Sequence, residues 1–130
     1  MTRIIAGSHK GRTLKVPKSV TRPTSSRVRE AIFSSVEHSH DGFANLNVLD
    51  LFAGSGALAL EAISRGASYA LMMENDPKAI AAIKDNIDSL KIRNARVQGG
   101  ELFNHLNSDQ PDNAFDVVFA DPPYNLADDK

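Results

Sequence analysis

From residue 46 onward the apolar positions fall into short unbroken runs that alternate with spaced sets. Asn47-Val48-Leu49-Asp50-Leu51-Phe52 is nearly continuous in apolar residues, as a strand covered on both faces requires. A glycine-containing turn follows, then a helix predicted from about Ala57 to Arg65, stopped by Gly66 in the C′ position. Tyr69 to Glu74 reads as a second strand. Asp76 is placed to cap the next helix, with Pro77 in its first position. Ala79, Ile80, Ile83, Ile87 and Leu90 space the apolar face of that helix. Ala95 to Gln98 reads as a third strand, Glu101 to Leu106 as a short helix and Phe115 to Asp121 as a fourth strand. This alternation predicts an α/β fold built on a doubly wound, mostly parallel, Rossmann-like sheet. In such sheets ligands bind at the carboxyl ends of the strands, beside the topological switch point.

The first 45 residues follow a different rhythm. Ile4-Ile5-Ala6-Gly7 and Thr13-Leu14-Lys15-Val16 predict a hairpin around His9-Lys10-Gly11. Pro17 to Pro23 reads as a linker. Thr24, Ser25 and Ser26 are N-cap candidates for a helix to about His38, with Val28, Ile32, Ser35 and Val36 near one face. The polar stretch His38 to Asn45 then marks a boundary. The expected organisation is a hairpin-plus-helix extension over residues 1–45 and a core over residues 46–130.

Charge sharpens that division. The formal net charge is −1, yet residues 1–29 carry eight basic side chains and no acid, which leaves the remainder at −9. A basic extension on an acidic body is suited to meeting a polyanion with one face. A solvated extension with no specific partner is the plainer alternative. There are no cysteines, which excludes disulfides and thiolate metal sites. Neither a signal peptide nor an apolar run of about 18 residues is present, so a cytoplasmic protein without membrane association is expected. His9, His38, His40 and His105 are scattered, and no metal site is expected from them.

Four unusual local sequences fall at predicted strand ends. Gly54 and Gly56 follow the first strand, where paired glycines let the backbone turn sharply and approach a ligand. The following helix would direct its free N–H groups there. Gly54, Gly56 and Ala59 also satisfy the dinucleotide pattern G-x-G-x-x-A, so a nicotinamide cofactor is a rival. Glu74 ends the second strand, and an ionised carboxylate there can accept from the hydroxyls of an adenosine ribose. Glu101 follows the third strand and is suited either to an adenine amino group or to complementing a helix dipole.

Asp121-Pro122-Pro123-Tyr124 ends the fourth strand and separates these rivals. The lone pair of an exocyclic base amine is delocalised into the ring, so its alkylation needs acceptors that hold both N–H bonds. The Asp121 carboxylate and the Pro122 carbonyl are two such acceptors, and consecutive prolines fix the backbone that carries them. Tyr124 offers a ring on which an extruded base can stack. A nicotinamide enzyme has no use for this tetrapeptide at this place.

With these residues together, the chain resembles the bacterial 16S ribosomal RNA guanine-N2 methyltransferases. The likeness runs through Arg3-Ile4-Ile5-Ala6-Gly7, Gly11-Arg12, Thr21-Arg22-Pro23-Thr24-Ser25 and Arg27-Val28-Arg29-Glu30-Ala31-Ile32-Phe33. It continues through Asp50 to Leu58, Glu61 to Ala67, Glu74 and Asp121 to Tyr124. The glycine turn and tetrapeptide are shared by many amino-methyltransferases, whereas the Arg22–Ser25 and Arg27–Phe33 segments point to this family. The resemblance implies S-adenosylmethionine as cofactor and N2-methylguanine as product. It implies catalytic roles for Asp121, Pro122, Pro123 and Tyr124. Cofactor contacts are implied for Asp50, Phe52, Ala53, Gly54, Gly56, Glu74, Asn75, Glu101 and Leu102. Arg3, Lys10, Arg12, Arg22, Arg27 and Arg29 would meet RNA, and the partner would be the 30S subunit, with the enzyme a monomer. Glu101 stands where many relatives place Asp. The family's sheet continues with three more strands, so the C-terminal strands are expected to be absent here. A DNA adenine or cytosine amino-methyltransferase uses the same tetrapeptide and is the nearest alternative. A non-catalytic module that binds RNA or cofactor is another.

Overall fold

The computed structural model describes residues 2–16, 25–51, 53–99 and 115–120. Two short antiparallel strands, β1 (Thr2–Arg3) and β2 (Thr13–Leu14), are followed by helix α1 (Ser26–His40). Then come β3 (Asn47–Leu51), α2 (Ala57–Ser64), β4 (Tyr69–Met73), α3 (Pro77–Leu90), β5 (Ala95–Gln98) and β6 (Val117–Ala120). The last four strands form one parallel sheet in the order β5-β4-β3-β6. The chain therefore steps outward from β3 in one direction and returns to its other side, which places the switch point between β3 and β6. The predicted Rossmann-like α/β fold is what forms. Phe52, the segment 17–24, the predicted helix near 101–106 and the tetrapeptide at 121–124 lie outside the described residues.

Local signals explain most of the boundaries. The Ser25 hydroxyl accepts from the Val28 N–H at the start of α1, and the Asp76 carboxylate accepts from the Lys78 N–H at the start of α3. Gly66 follows the end of α2 with φ of 117°, a conformation that disfavours any residue with a Cβ. Alternate residues of each strand face opposite layers. Val48, Ala70, Met72, Val117 and Phe119 join Phe33 of α1, Leu60 of α2 and Ile83 of α3 in the main core. Leu49, Leu71 and Met73 form a second, smaller cluster with Leu51, Tyr69 and Phe115 packed on it.

The N-terminal residues depart from expectation in two instructive ways. The first strand is Thr2–Arg3, in register with Leu14 and Thr13, and not Ile4–Gly7. One more rung forms through Ile4 and its partners Gly11 and Arg12. The Ile5 and Ala6 N–H groups then leave the ladder and donate to the two carboxylate oxygens of Glu61, at 2.9 and 3.1 Å. The buried stripe of α1 is also displaced by one residue. Arg29 and Phe33 are buried, with Ile32 and Val36 half-buried against the core, while Val28 is 49% exposed. The spacing 29, 32, 33, 36 is an ordinary helical stripe, concealed because an arginine occupies its first position.

Glu61 is the reason. It lies in α2 with no exposed surface, and accepts from Arg29 Nη1 at 3.3 Å and Arg65 Nε at 2.9 Å besides the two backbone amides. Arg65 also reaches Glu37 at 2.7 Å and lies over the Phe33 ring, 5.0 Å from its centroid. Burial pushes the Arg29 guanidinium below its ordinary range, against the attraction of Glu61. Arg65 is also penalised by burial, yet its bonds to Glu61 and Glu37 win and raise it. Gly7, with φ of 91°, sits so close to α2 that a Cβ would come 1.9 Å from the Ser64 carbonyl oxygen. Ile4 and Leu14 belong to the main core. Described residues on both sides of the expected boundary near residue 45 thus share one core.

Candidate cofactor and nucleic-acid site

Parallel pairing brings three strand ends level. Leu51 of β3 is in register with Met73 of β4 and with Ala120 of β6. The glycine turn leaves the first of these, Glu74 follows the second, and residue 121 follows the third. Sequence reasoning placed these features at strand ends, and the register places those ends side by side.

The turn is held from several directions. Ala53 N–H donates to the Met73 carbonyl at 3.1 Å, and Gly56 N–H closes back on the Ala53 carbonyl at 2.8 Å. Gly54 and Gly56 have φ of 59° and 82°, both in the left-handed region that glycine tolerates best. At Gly56 an added Cβ would also crowd the Met72 sulfur at 3.1 Å and Ile83 Cγ1 at 3.3 Å. The second glycine is therefore required by the fold itself, whatever the turn binds. Gly56 is the N-cap of α2, and its carbonyl accepts the Leu60 N–H at 2.9 Å. The N–H groups of the first turn have no acceptor within a helix and point beyond its end.

Glu74 is tied into this turn. Its Oε1 accepts from the Gly54 N–H at 2.8 Å, and its Oε2 from the Asn75 and Asp76 N–H groups at 3.1 and 3.0 Å. A carboxylate has about four acceptor positions, so one remains. Accepting from both hydroxyls of a ribose would require the Gly54 N–H to release Oε1 or share it. Asp50 is set deeper than the strand end. It is 2% exposed, between Met72 and Phe119 in register. A groove of about 690 Å³ runs between the hairpin and α3, along the seam of those elements and not at the strand ends.

Among the described residues no group of His, Asp and Glu side chains converges as a metal ion would need. No described helix is long and apolar enough to cross a membrane.

A family described as "Conserved hypothetical protein 95" matches residues 2–129. The chain belongs to this family. Members named "Ribosomal RNA small subunit methyltransferase D" are similar to it, as the resemblance read from the sequence anticipated. The one from Escherichia coli strain K12 is 41% identical over 123 residues, covering 94% of this chain and 60% of that protein. The one from Haemophilus influenzae is 40% identical over 135 residues, covering 97% and 66%. The chain thus spans about two thirds or less of the length of these relatives. A hypothetical protein of known structure from Thermus thermophilus superposes with a TM-score of 0.83 at 36% identity, over 95% of this chain and 70% of that one. A precorrin-6y C5,15-methyltransferase from Geobacter metallireducens shares the fold, with a TM-score of 0.67 at 24% identity over 82% and 53%.

Within this family frame the basic residues separate by position. Arg29 is corrected outright: at 2% exposure and bonded to Glu61 it is a core ion-pair partner, closed to phosphate. The hairpin tip lies at the ends of α2 and α3, opposite the strand carboxyl ends. Ser8 and His9 bind Ser64, the last residue of α2, while His9 Nε2 and Arg12 Nη2 lie 3.1 and 3.0 Å from the carbonyls of Leu90 and Ser89. Both helices end at the amino edge of the sheet. Lys10 at the tip and Arg12 are exposed there, with the tip seated roughly the 12 Å length of α2 from the glycine turn. Arg3 is exposed on β1. Arg27 is exposed in the first turn of α1. That helix runs alongside α2, from Arg29 at Glu61 to Glu37 at Arg65, so its first turn points toward the strand carboxyl ends. Arg22 lies outside the described residues, as do Glu101 and Leu102.

Proposed function

We propose that the chain transfers a methyl group from S-adenosylmethionine to the exocyclic N2 amine of a guanine in 16S ribosomal RNA. The observation that carries this reading is the shared register of Leu51, Met73 and Ala120. It sets a glycine turn, a carboxylate and the strand leading into Asp121-Pro122-Pro123-Tyr124 at one edge of the sheet. The family relatives named as small-subunit ribosomal RNA methyltransferases support the same substrate class.

The residues present suit this cofactor. Glu74 has one free acceptor position for a ribose hydroxyl and a second that the Gly54 N–H occupies. The first turn of α2 favours a carboxylate. Ala53, Gly54, Gly56 and Asn75 would border the cofactor, with Asp50 supporting the turn from inside β3. Phe52, Glu101 and Leu102 complete the expected set. The cofactor supplies an electrophilic methyl group on a sulfonium. Asp121 and the Pro122 carbonyl accept the two amine N–H bonds and aim the nitrogen lone pair, Pro123 stiffens the segment, and Tyr124 stacks on the base. Among the described residues, Arg27 is the cation best placed to hold RNA phosphate beside this edge.

Replacing Asp121 by Ala should leave S-adenosylmethionine binding intact by calorimetry. Methyl transfer to unmodified 30S subunits should fall by at least about 100-fold, since the amine is no longer oriented. Full activity in this variant would remove Asp121 from the mechanism. Methyl uptake into DNA in place of 30S subunits would redirect the substrate to the alternative class.

A further inference from the structure

Asn86 is a polar residue that the apolar spacing of α3 passed over, and it is 2% exposed. It occupies the buried side of the helix with Ala79, Ala82, Ile83 and Leu90. An amide is tolerated in such a place only when its donors and acceptor are used. Here they are used on two different elements. Oδ1 accepts from the Lys15 N–H at 2.8 Å and Nδ2 donates to the Lys15 carbonyl at 3.0 Å, so the side chain pairs with the residue after β2 as a strand would. Nδ2 also donates to the Ser55 carbonyl at 3.2 Å. Ser55 is itself buried, between the two glycines of the turn.

Resting on the cofactor site proposed above, we infer that Asn86 is a positioning residue that locks the glycine turn to the N-terminal hairpin. The Asn86 side chain connects the turn to the hairpin, and the Ser55 carbonyl is held inward, away from the ligand edge. Gly54 and Gly56 are then left with their N–H groups and left-handed torsions set before any ligand arrives. A ligand that orders the turn also orders Lys15, which stands at the entrance to the basic segment 17–24.

Two measurements on the full chain test this with S-adenosylhomocysteine as the probe. In the parent, saturating probe should slow hydrogen exchange of the Lys15 amide by about fivefold or more, although Lys15 lies on the far side of Asn86 from the turn. In Asn86→Asp the acceptor for Lys15 survives, while the donor to Ser55 becomes a second acceptor. Probe affinity should weaken about tenfold, the scale of one or two lost hydrogen bonds, in a protein still folded by circular dichroism. A merely structural asparagine would lower the melting temperature and leave the affinity unchanged. Should Asn86→Asp not fold, the parent's Lys15 exchange decides alone. Equal affinities with unmoved Lys15 exchange overturn this inference and spare the cofactor site. A parent chain that binds no S-adenosylhomocysteine overturns the cofactor site as well.

Discussion

Replacing Arg29 by Met separates a core arginine from an RNA-binding one. The change keeps most of the buried apolar stem and deletes the guanidinium that reaches Glu61 at 3.3 Å. Breaking a buried ion pair typically costs about 3–5 kcal/mol because one charge is stranded. Glu61 is not stranded, since it retains the Ile5 and Ala6 amides and Arg65 Nε, all within 3.1 Å. The Arg29 Nε, buried without a hydrogen-bond partner among the described residues, is removed at the same time, which offsets part of the loss. The expected destabilisation is therefore about 1–3 kcal/mol, below the usual figure for a broken pair. In urea this moves the midpoint down by roughly 1 M at ordinary m-values, read by circular dichroism. RNA affinity measured against salt should keep its slope. Arg27→Ala should do the reverse, with unchanged stability and a slope reduced by about one phosphate contact. An Arg29→Met protein as stable as the parent but with a shallower salt slope would refute the buried assignment.

Two further changes probe the same junction. Glu61→Ala removes the acceptor for four donors at once in a fully buried site. It should cost at least about 3–5 kcal/mol, and urea unfolding within about 1 kcal/mol of the parent would contradict the hub. Gly7→Ala places a methyl group 1.9 Å from the Ser64 carbonyl oxygen at a φ of 91°, so the hairpin must lift from α2. Faster hydrogen exchange at Ser8 and His9, whose amides bond Ser64, is the expected mark, and unchanged protection would show that the contact is not tight.

The parallel core was legible because its strands are apolar runs and its helices carry ordinary caps. Asp76, Pro77 and Gly66 set their boundaries as local chemistry dictates. The strand-end places of Glu74 and the glycines were legible because such placement follows from the alternation alone. The N-terminal packing was not legible. Arg29 and Glu61 are 32 positions apart, and charge taken residue by residue reads a lone arginine as a surface cation. Its partner becomes visible only when α1 and α2 are set side by side. Asn86 was hidden for the same reason, since its acceptor and donors are satisfied by Lys15 and Ser55, 71 and 31 positions away. The shortened β1 follows from a competitor no strand pattern contains: a carboxylate that takes the Ile5 and Ala6 amides out of the ladder.

The edge where β3, β4 and β6 end is the proposed place of methyl transfer to ribosomal RNA. The most direct measurement incubates the chain with tritiated S-adenosylmethionine and unmodified 30S subunits, then identifies the labelled nucleoside by mass spectrometry. Label is expected in N2-methylguanosine of 16S RNA. Label on another base or in DNA, or no transfer by a chain that binds the cofactor, would contradict it.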